Sequence, residues 1–299
     1  MSVSYSNFRW ETQLNTRRVR QVLASRPASD GAGVRILRTI GQAPHDMDPF
    51  LMLDEIRSDQ RDEFVAGFPP HPHRGIETLT VMLEGGFEHQ DHMGHRAAIR
   101  AGGAQWMSAG RGVIHSEMPL PGEGKIHGFQ LWINLPAADK LREPDYAQAE
   151  AAELPALALA LEQGRLRVLA GRHGRQASPI DHPACEAAVL ELRLQPDARY
   201  EWTPPAGHRA LVRPYLGTVD IDTGSGDPVS LEDGRMAVLD GSGPVGLRAA
   251  GGPAGMLLLS GRPLDEPIVQ HGPFVMNTAG QIRQAVRDYQ SGALVAPRH

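Results

Sequence analysis

His71-Pro72-His73 and His115-Ser116-Glu117 each place two potential metal ligands at positions i and i+2. This spacing constrains the chain more than any other feature. Alternate side chains of an extended strand share a face, so each pair can reach a common point if its segment is a strand. Three imidazoles and one carboxylate would then meet at a single ion. One His-x-His is more often just two polar residues on a strand face. Two ligand pairs, 42 residues apart from His73 to His115 and flanking the glycine-rich Gly110-Arg111-Gly112, argue against coincidence.

The remaining sequence suits strands. The 33 glycines and 24 prolines make up about a fifth of the 299 residues, above the usual share. They are spread along the chain, as expected for many short strands joined by tight turns. Strand-like runs fall at residues 76–83, 129–135, 188–194, 209–216, 218–222, 236–239 and 256–259, and lead-in strands are expected between residues 3 and 40. Residues 136–160 turn Ala- and Glu-rich, and 141–150 reads as a connector. The expectation is an all-β protein of two domains, 1–142 carrying the metal ligands and 143–299 without a metal site. Thr278-Ala279-Gly280-Gln281 fits a capping box, and Ile282, Ala285, Val286 and Tyr289 then share one helical face before Gly292. The second domain should therefore end in one amphipathic, structural helix.

Several function classes are excluded or disfavoured. A formal net charge of −5 without a basic stripe gives no reason to expect direct nucleic-acid contact. Cys185 is the only cysteine, which rules out an intrachain disulfide, a zinc ribbon and a CxxC redox pair, and it reads as a small packing residue. The arginines of the first thirty residues come without an apolar core, so no secretory signal is expected. No apolar run is long enough to span a bilayer. The expected location is cytoplasmic.

Other clusters carry less. Asp54-Glu55 closes an apolar run, where carboxylates are usually solvated. His89, Asp91, His92 and His95 lie in a polar stretch leading to Gly94, and read best as solvated residues of a hairpin tip, although His89 and Asp91 share a face. Ala109-Gly110-Arg111-Gly112 lacks the Lys-Ser/Thr ending of a phosphate loop.

Imidazole and carboxylate together suit Fe, Mn, Co, Ni or Cu. Zinc is a further option, although structural zinc prefers closed, thiolate-rich sites. Four protein ligands leave an octahedral ion two open positions, which reads as catalytic. Residual positive charge would favour an anionic oxygen, as in a small aromatic or enolic substrate. Arg74, Glu77, Gln105 and Gln130 are candidates for orienting the ligands.

The wording around these residues resembles the pirin family of the cupin superfamily. It spans Asp48-Pro49-Phe50-Leu51-Met52-Leu53-Asp54-Glu55, His71 to Thr78, Gln105 to Gly110, Gly112 to Glu117, His127 to Leu135, and His271-Gly272-Pro273-Phe274-Val275-Met276-Asn277-Thr278. The chain departs from the commoner pirin wording around His95 and at Gly103. The resemblance implies two jelly-roll β-sandwiches with metal in the first only, held by His71, His73, His115 and Glu117, and normally iron. Glu77 occupies the general cupin glutamate position, which in pirins is not the ligand. The resemblance also places Asp54, Phe68 and Gln130 near the substrate pocket. Two activities follow from it. One is a quercetin 2,3-dioxygenase, in which Glu117 takes the proton of a flavonol hydroxyl, dioxygen adds and carbon monoxide leaves. The other is an iron-dependent, redox-sensing regulator acting through protein partners.

Overall fold

The structure, a computed structural model, describes residues 17–41, 44–181, 183–224 and 227–296. Residues 3–16 of the expected lead-in, with His182 and His299, lie outside the described residues.

Side-chain alternation builds the first half as two facing antiparallel sheets. One has seven strands, in the spatial order Asp145–Ala149, Ala104–Ser108, Ile76–Glu84, Ile126–Asn134, Phe50–Ser58, Val34–Ile40 and Arg26–Asp30. The other has four, in the order Phe68–His73, Val113–Pro119, Gly86–Asp91 and Arg96–Arg100. Met82, Phe87, Ile99 and Ile126 pack between them. The second half is a nine-stranded sheet whose two long members, Arg209–Asp222 and Val245–Gly261, pair along most of their lengths. Register shifts between Pro214 and Thr218 bend that pair. Its strands enclose Leu192, Trp202, Val212 and Leu258. The expected strands 209–216 and 218–222 are thus one bent strand.

The central strands of the seven-stranded sheet are buried on both faces. Leu79, Val81, Phe129 and Leu131 pack against Leu211, Tyr215, Val238 and Leu257 of the second half. Burial of each such side chain stabilises by about 1.5–3 kcal/mol. The opposite face carries Thr80, Gln130 and Trp132 and looks toward the four-stranded sheet. Period-two alternation therefore separates an interdomain face from a polar cavity face within the same strands.

Three segments cross the expected domain division at residue 142. Arg18–Ala24 pairs with Arg235–Asp240 in the second sheet. Residues 145–149, expected as connector, form an edge strand on Ala104–Ser108, with Tyr146 opposite Met107 and Ala149 opposite Ala104, despite the nearby proline. The hairpin of Val269–His271 and Phe274–Met276 returns to the first half, where Phe274 bridges Arg74. The 142/143 division stays a proposal about sequence units. The helix Ala279–Gln290 has the expected capping box, buries Ile282 and Ala285, and is followed by Gly292 at φ 78°.

Asp54 and Glu55 are buried, contrary to the solvated reading, because their strand runs on to Ser58 and places them mid-sheet. Arg38 holds Asp54 with bonds of 2.8 and 2.7 Å. Arg213 and His127 hold Glu55 at 2.5 and 2.8 Å. Cys185 is buried beside the Asn134 carbonyl, and burial pushes its thiol up to about 12.

Candidate metal centre

Three adjacent strands of the four-stranded sheet each carry an inward-facing i, i+2 pair. The pairs are His71 and His73, His115 and Glu117, and His89 and Asp91. His115 lies opposite His71 on one side and Asp91 on the other, while Glu117 lies opposite His89. The ligand atoms of His71, His73 and His115 lie within 4.8 Å of one another, as do those of His89, His115 and Glu117. His115 is the member common to both groups.

The reading of His89 and Asp91 as solvated tip residues is corrected. Both are buried; the tip begins only at His92, and the strand before it keeps period-two burial. His92 and His95 are exposed, as expected of a tip.

Hydrogen bonds orient two of the three imidazoles alike. His71 Nδ1 lies 2.8 Å from the Pro69 carbonyl and His73 Nδ1 lies 3.4 Å from the Pro273 carbonyl. A carbonyl only accepts, so both Nδ1 atoms carry hydrogen and both Nε2 atoms keep a lone pair. His115 Nε2 is buried with no hydrogen-bond partner. Burial, reinforced by His71, pushes the His73 ring down to about 3. Burial and the neighbouring histidines hold His115 well below its ordinary value. Neutral rings with bare Nε2 atoms are the form that binds metal, and an orphaned buried nitrogen is what a missing ion would leave.

Glu117 is oriented from the facing sheet. Thr80 Oγ1 donates to its Oε1 at 3.0 Å, and Gln130 Nε2 to its Oε2 at 2.7 Å. A register shift between His115 and Glu117 places Glu117 opposite Phe68. Phe68, His71, His73, Gln130 and Trp132 line a cavity of about 570 Å³, which Gln270 and Pro273 border from the C-terminal hairpin. Asp54 stands behind this wall, and Arg38, which it holds, is on it. Sequence reasoning missed Thr80, Trp132 and Pro273. Trp132 stands edge-on to His73 at 5.0 Å.

The family model for pirin matches residues 33–133, and the model for the pirin C-terminal cupin domain matches residues 189–295. A Pseudomonas aeruginosa protein provisionally named a quercetin 2,3-dioxygenase is 45% identical over 283 residues, 93% of this chain and 98% of that protein. The chain belongs to the pirin family. Its fold matches the crystal structure of a quercetin 2,3-dioxygenase from Acinetobacter baumannii, with a TM-score of 0.85 at 29% identity over 94% of this chain and 99% of that one. A bacterial pirin from Escherichia coli, solved in complex with nickel(II), shares the fold with a TM-score of 0.60 at 23% identity over 81% of this chain and 99% of that one.

The pirin arrangement gives Glu77 a physical position. It lies on the interdomain face of its strand, where Oε1 takes Arg142 at 2.6 Å and Oε2 takes the Ala184 amide at 2.8 Å. Of the other candidate orienting residues, only Gln130 touches a candidate ligand directly. Arg74 is tied to Asp288 at 2.7 Å, and Gln105 to the Tyr146 hydroxyl at 3.2 Å. The first half of the molecule thus carries a His/Glu cluster able to hold a metal ion.

Proposed function

We infer that His71, His73, His115 and Glu117 hold one divalent metal ion, iron, and that the chain opens a flavonol such as quercetin with dioxygen and releases carbon monoxide. The observation that carries this reading is the buried, partnerless His115 Nε2 beside two further histidines whose Nδ1 atoms are tied back by carbonyls. The names of the Pseudomonas and Acinetobacter relatives support the substrate class. Held by these residues, the metal would supply Lewis-acid and redox chemistry for the reaction of a substrate hydroxyl with dioxygen.

The chain's own residues bind and orient. Phe68 and Trp132 offer aromatic surface to a planar ring system at the cavity wall. Glu117, aimed by Thr80 and Gln130, takes the proton of the substrate hydroxyl on a carboxylate oxygen. Pro69, Pro70 and Pro273 help to shield the cavity from water. Asp54 acts through Arg38, which it holds and which lines the cavity.

The test is oxygen uptake with carbon monoxide release on adding quercetin to iron-loaded protein, beside Glu117→Gln. Turnover by the wild type and its loss in the variant is expected. A protein that binds metal but turns over no flavonol with any redox metal would transfer the case to a redox-sensing regulator acting through protein partners.

A further inference from the structure

Asp91 and His89 stand behind His115, in a part of the site that the proposed reaction does not use. Asp91 Oδ2 lies 3.2 Å from His89 Nε2 and 2.8 Å from His95 Nδ1. Its Oδ1 accepts the backbone N–H groups of Met93 at 2.9 Å and His95 at 3.1 Å. On its other side, His89 Nδ1 faces His115 Nδ1 at 3.4 Å. The His89 and Asp91 side chains are 1% and 0% exposed, so water does not substitute for these partners. Tyr146 closes the cluster, with its ring 4.7 Å from His89 and stacked on His95 at 4.8 Å.

The direction of this chain of bonds follows from its carboxylate end. A carboxylate only accepts, so His89 Nε2 carries hydrogen. A neutral imidazole protonated there has a lone pair on Nδ1, and His115 Nδ1 must donate to it. His115 Nε2 is then left bare, as its buried, unpartnered state requires. His89 has both nitrogens engaged and no lone pair left for an ion. This separates it from the ligands although its ligand atom lies within 4.8 Å of those of His115 and Glu117.

We propose that Asp91 and His89 are positioning residues that fix His115 in its Nδ1–H tautomer and strengthen it as an electron donor to the metal. The proposal rests on the reading that His115 is a ligand. A ligating imidazole whose far N–H is bonded toward a carboxylate is oriented and made more basic, and loss of such a partner typically lowers metal affinity or activity by about 10- to 100-fold. Stronger donation favours the oxidised state of a redox metal.

Asp91→Asn reverses the chain. Two backbone N–H groups hold Oδ1, so an asparagine keeps its oxygen there and turns its NH₂ toward His89 Nε2. His89 then donates from Nδ1, and His115 is left with hydrogen on Nε2. The first readout needs no metal: long-range ¹H–¹⁵N NMR of the apoprotein reports which His115 nitrogen is protonated. We expect Nδ1–H in the wild type and Nε2–H in Asp91→Asn. Iron affinity should fall about 10- to 100-fold in the variant, and the reduction potential of bound iron should rise. His95→Ala, which leaves Asp91 its backbone donors and His89, should change neither. If Asp91→Asn does not fold, His89→Leu is read by the same NMR signal and the same affinity. A bare His115 Nδ1 in the wild-type apoprotein, or wild-type affinity and potential in the variants, would overturn the proposal. Wild-type protein whose metal uptake is indifferent to His73→Ala would instead overturn the metal site beneath it, and the NMR result separates the two failures.

Discussion

Gln130 Nε2 and Glu117 Oε2 are 2.7 Å apart, across the gap between the two sheets of the first sandwich. Gln130 sits on the cavity face of a strand whose other face, through Phe129 and Leu131, is locked against the second half. The orientation of the candidate base is therefore set by packing between the two halves of the chain. Replacing Gln130 with Leu leaves Thr80 as the only donor to Glu117. We expect a fall of about 10- to 100-fold in metal affinity or in kcat/KM for quercetin, read by competition titration and oxygen uptake. Wild-type values for both would mean that Gln130 is only a wall residue.

Metal should stabilise the fold. An ion that binds only the native state at about a hundred times its Kd adds about 2.7 kcal/mol, a rise of several degrees in Tm for a chain of this size. Scanning calorimetry of apoprotein and iron-loaded protein checks this. A chelator should reverse the rise, and His73→Ala should abolish it. Equal Tm values with and without metal would remove the site from consideration.

Gly75 has φ 79°, and a Cβ there would run into the Val275 carbonyl of the C-terminal hairpin. Gly75→Ala should cost about 1–3 kcal/mol through backbone strain and that collision. It should also weaken metal binding, because the same hairpin carries the Pro273 carbonyl that orients His73. Urea unfolding and metal competition measure the two effects. Loss of stability with unchanged affinity would show that the hairpin does not orient His73.

Glu77 links stability to pH. Burial raises its carboxyl to about 7 against the pull of the Ala184 amide, Arg142 and Trp106. The folded value exceeds the unfolded one of 4.5, so its contribution is fully present below about 4.5 and is lost as pH rises through about 7. Glu77→Gln resembles the protonated form. It should match the wild type near pH 5 and become the more stable protein by pH 8, by up to about 3 kcal/mol. Parallel stability curves from denaturant titrations across that range would refute the buried-carboxyl account.

The site was legible where period two met an unusual residue. His71, His73, His115 and Glu117 stand out because their pairs are short and polar within apolar strands. His89-x-Asp91 has the same spacing, but the nearby Gly94 made the whole stretch look like a solvated tip. Thr80 carried no signal, since a threonine is an ordinary strand residue until its partner across the cavity is known. Pro273 contributes a backbone carbonyl, which no side-chain motif can announce. The capping box at Thr278 and Gln281 was readable because its chemistry is local. The pairing of residues 145–149 was not, because an edge strand takes its identity from the strand beside it.

The return of the C-terminal hairpin to the first sandwich sets an order of assembly. The chain emerges from the ribosome with His71, His73 and His115 long before Pro273 and Val275, which orient His73 and anchor Lys140. Asp288, the partner of Arg74, comes later still. The metal site begun in the first third of the sequence is finished only as the last of these residues are synthesised. A product ending before Pro273 would carry the candidate ligands without the carbonyl that orients His73.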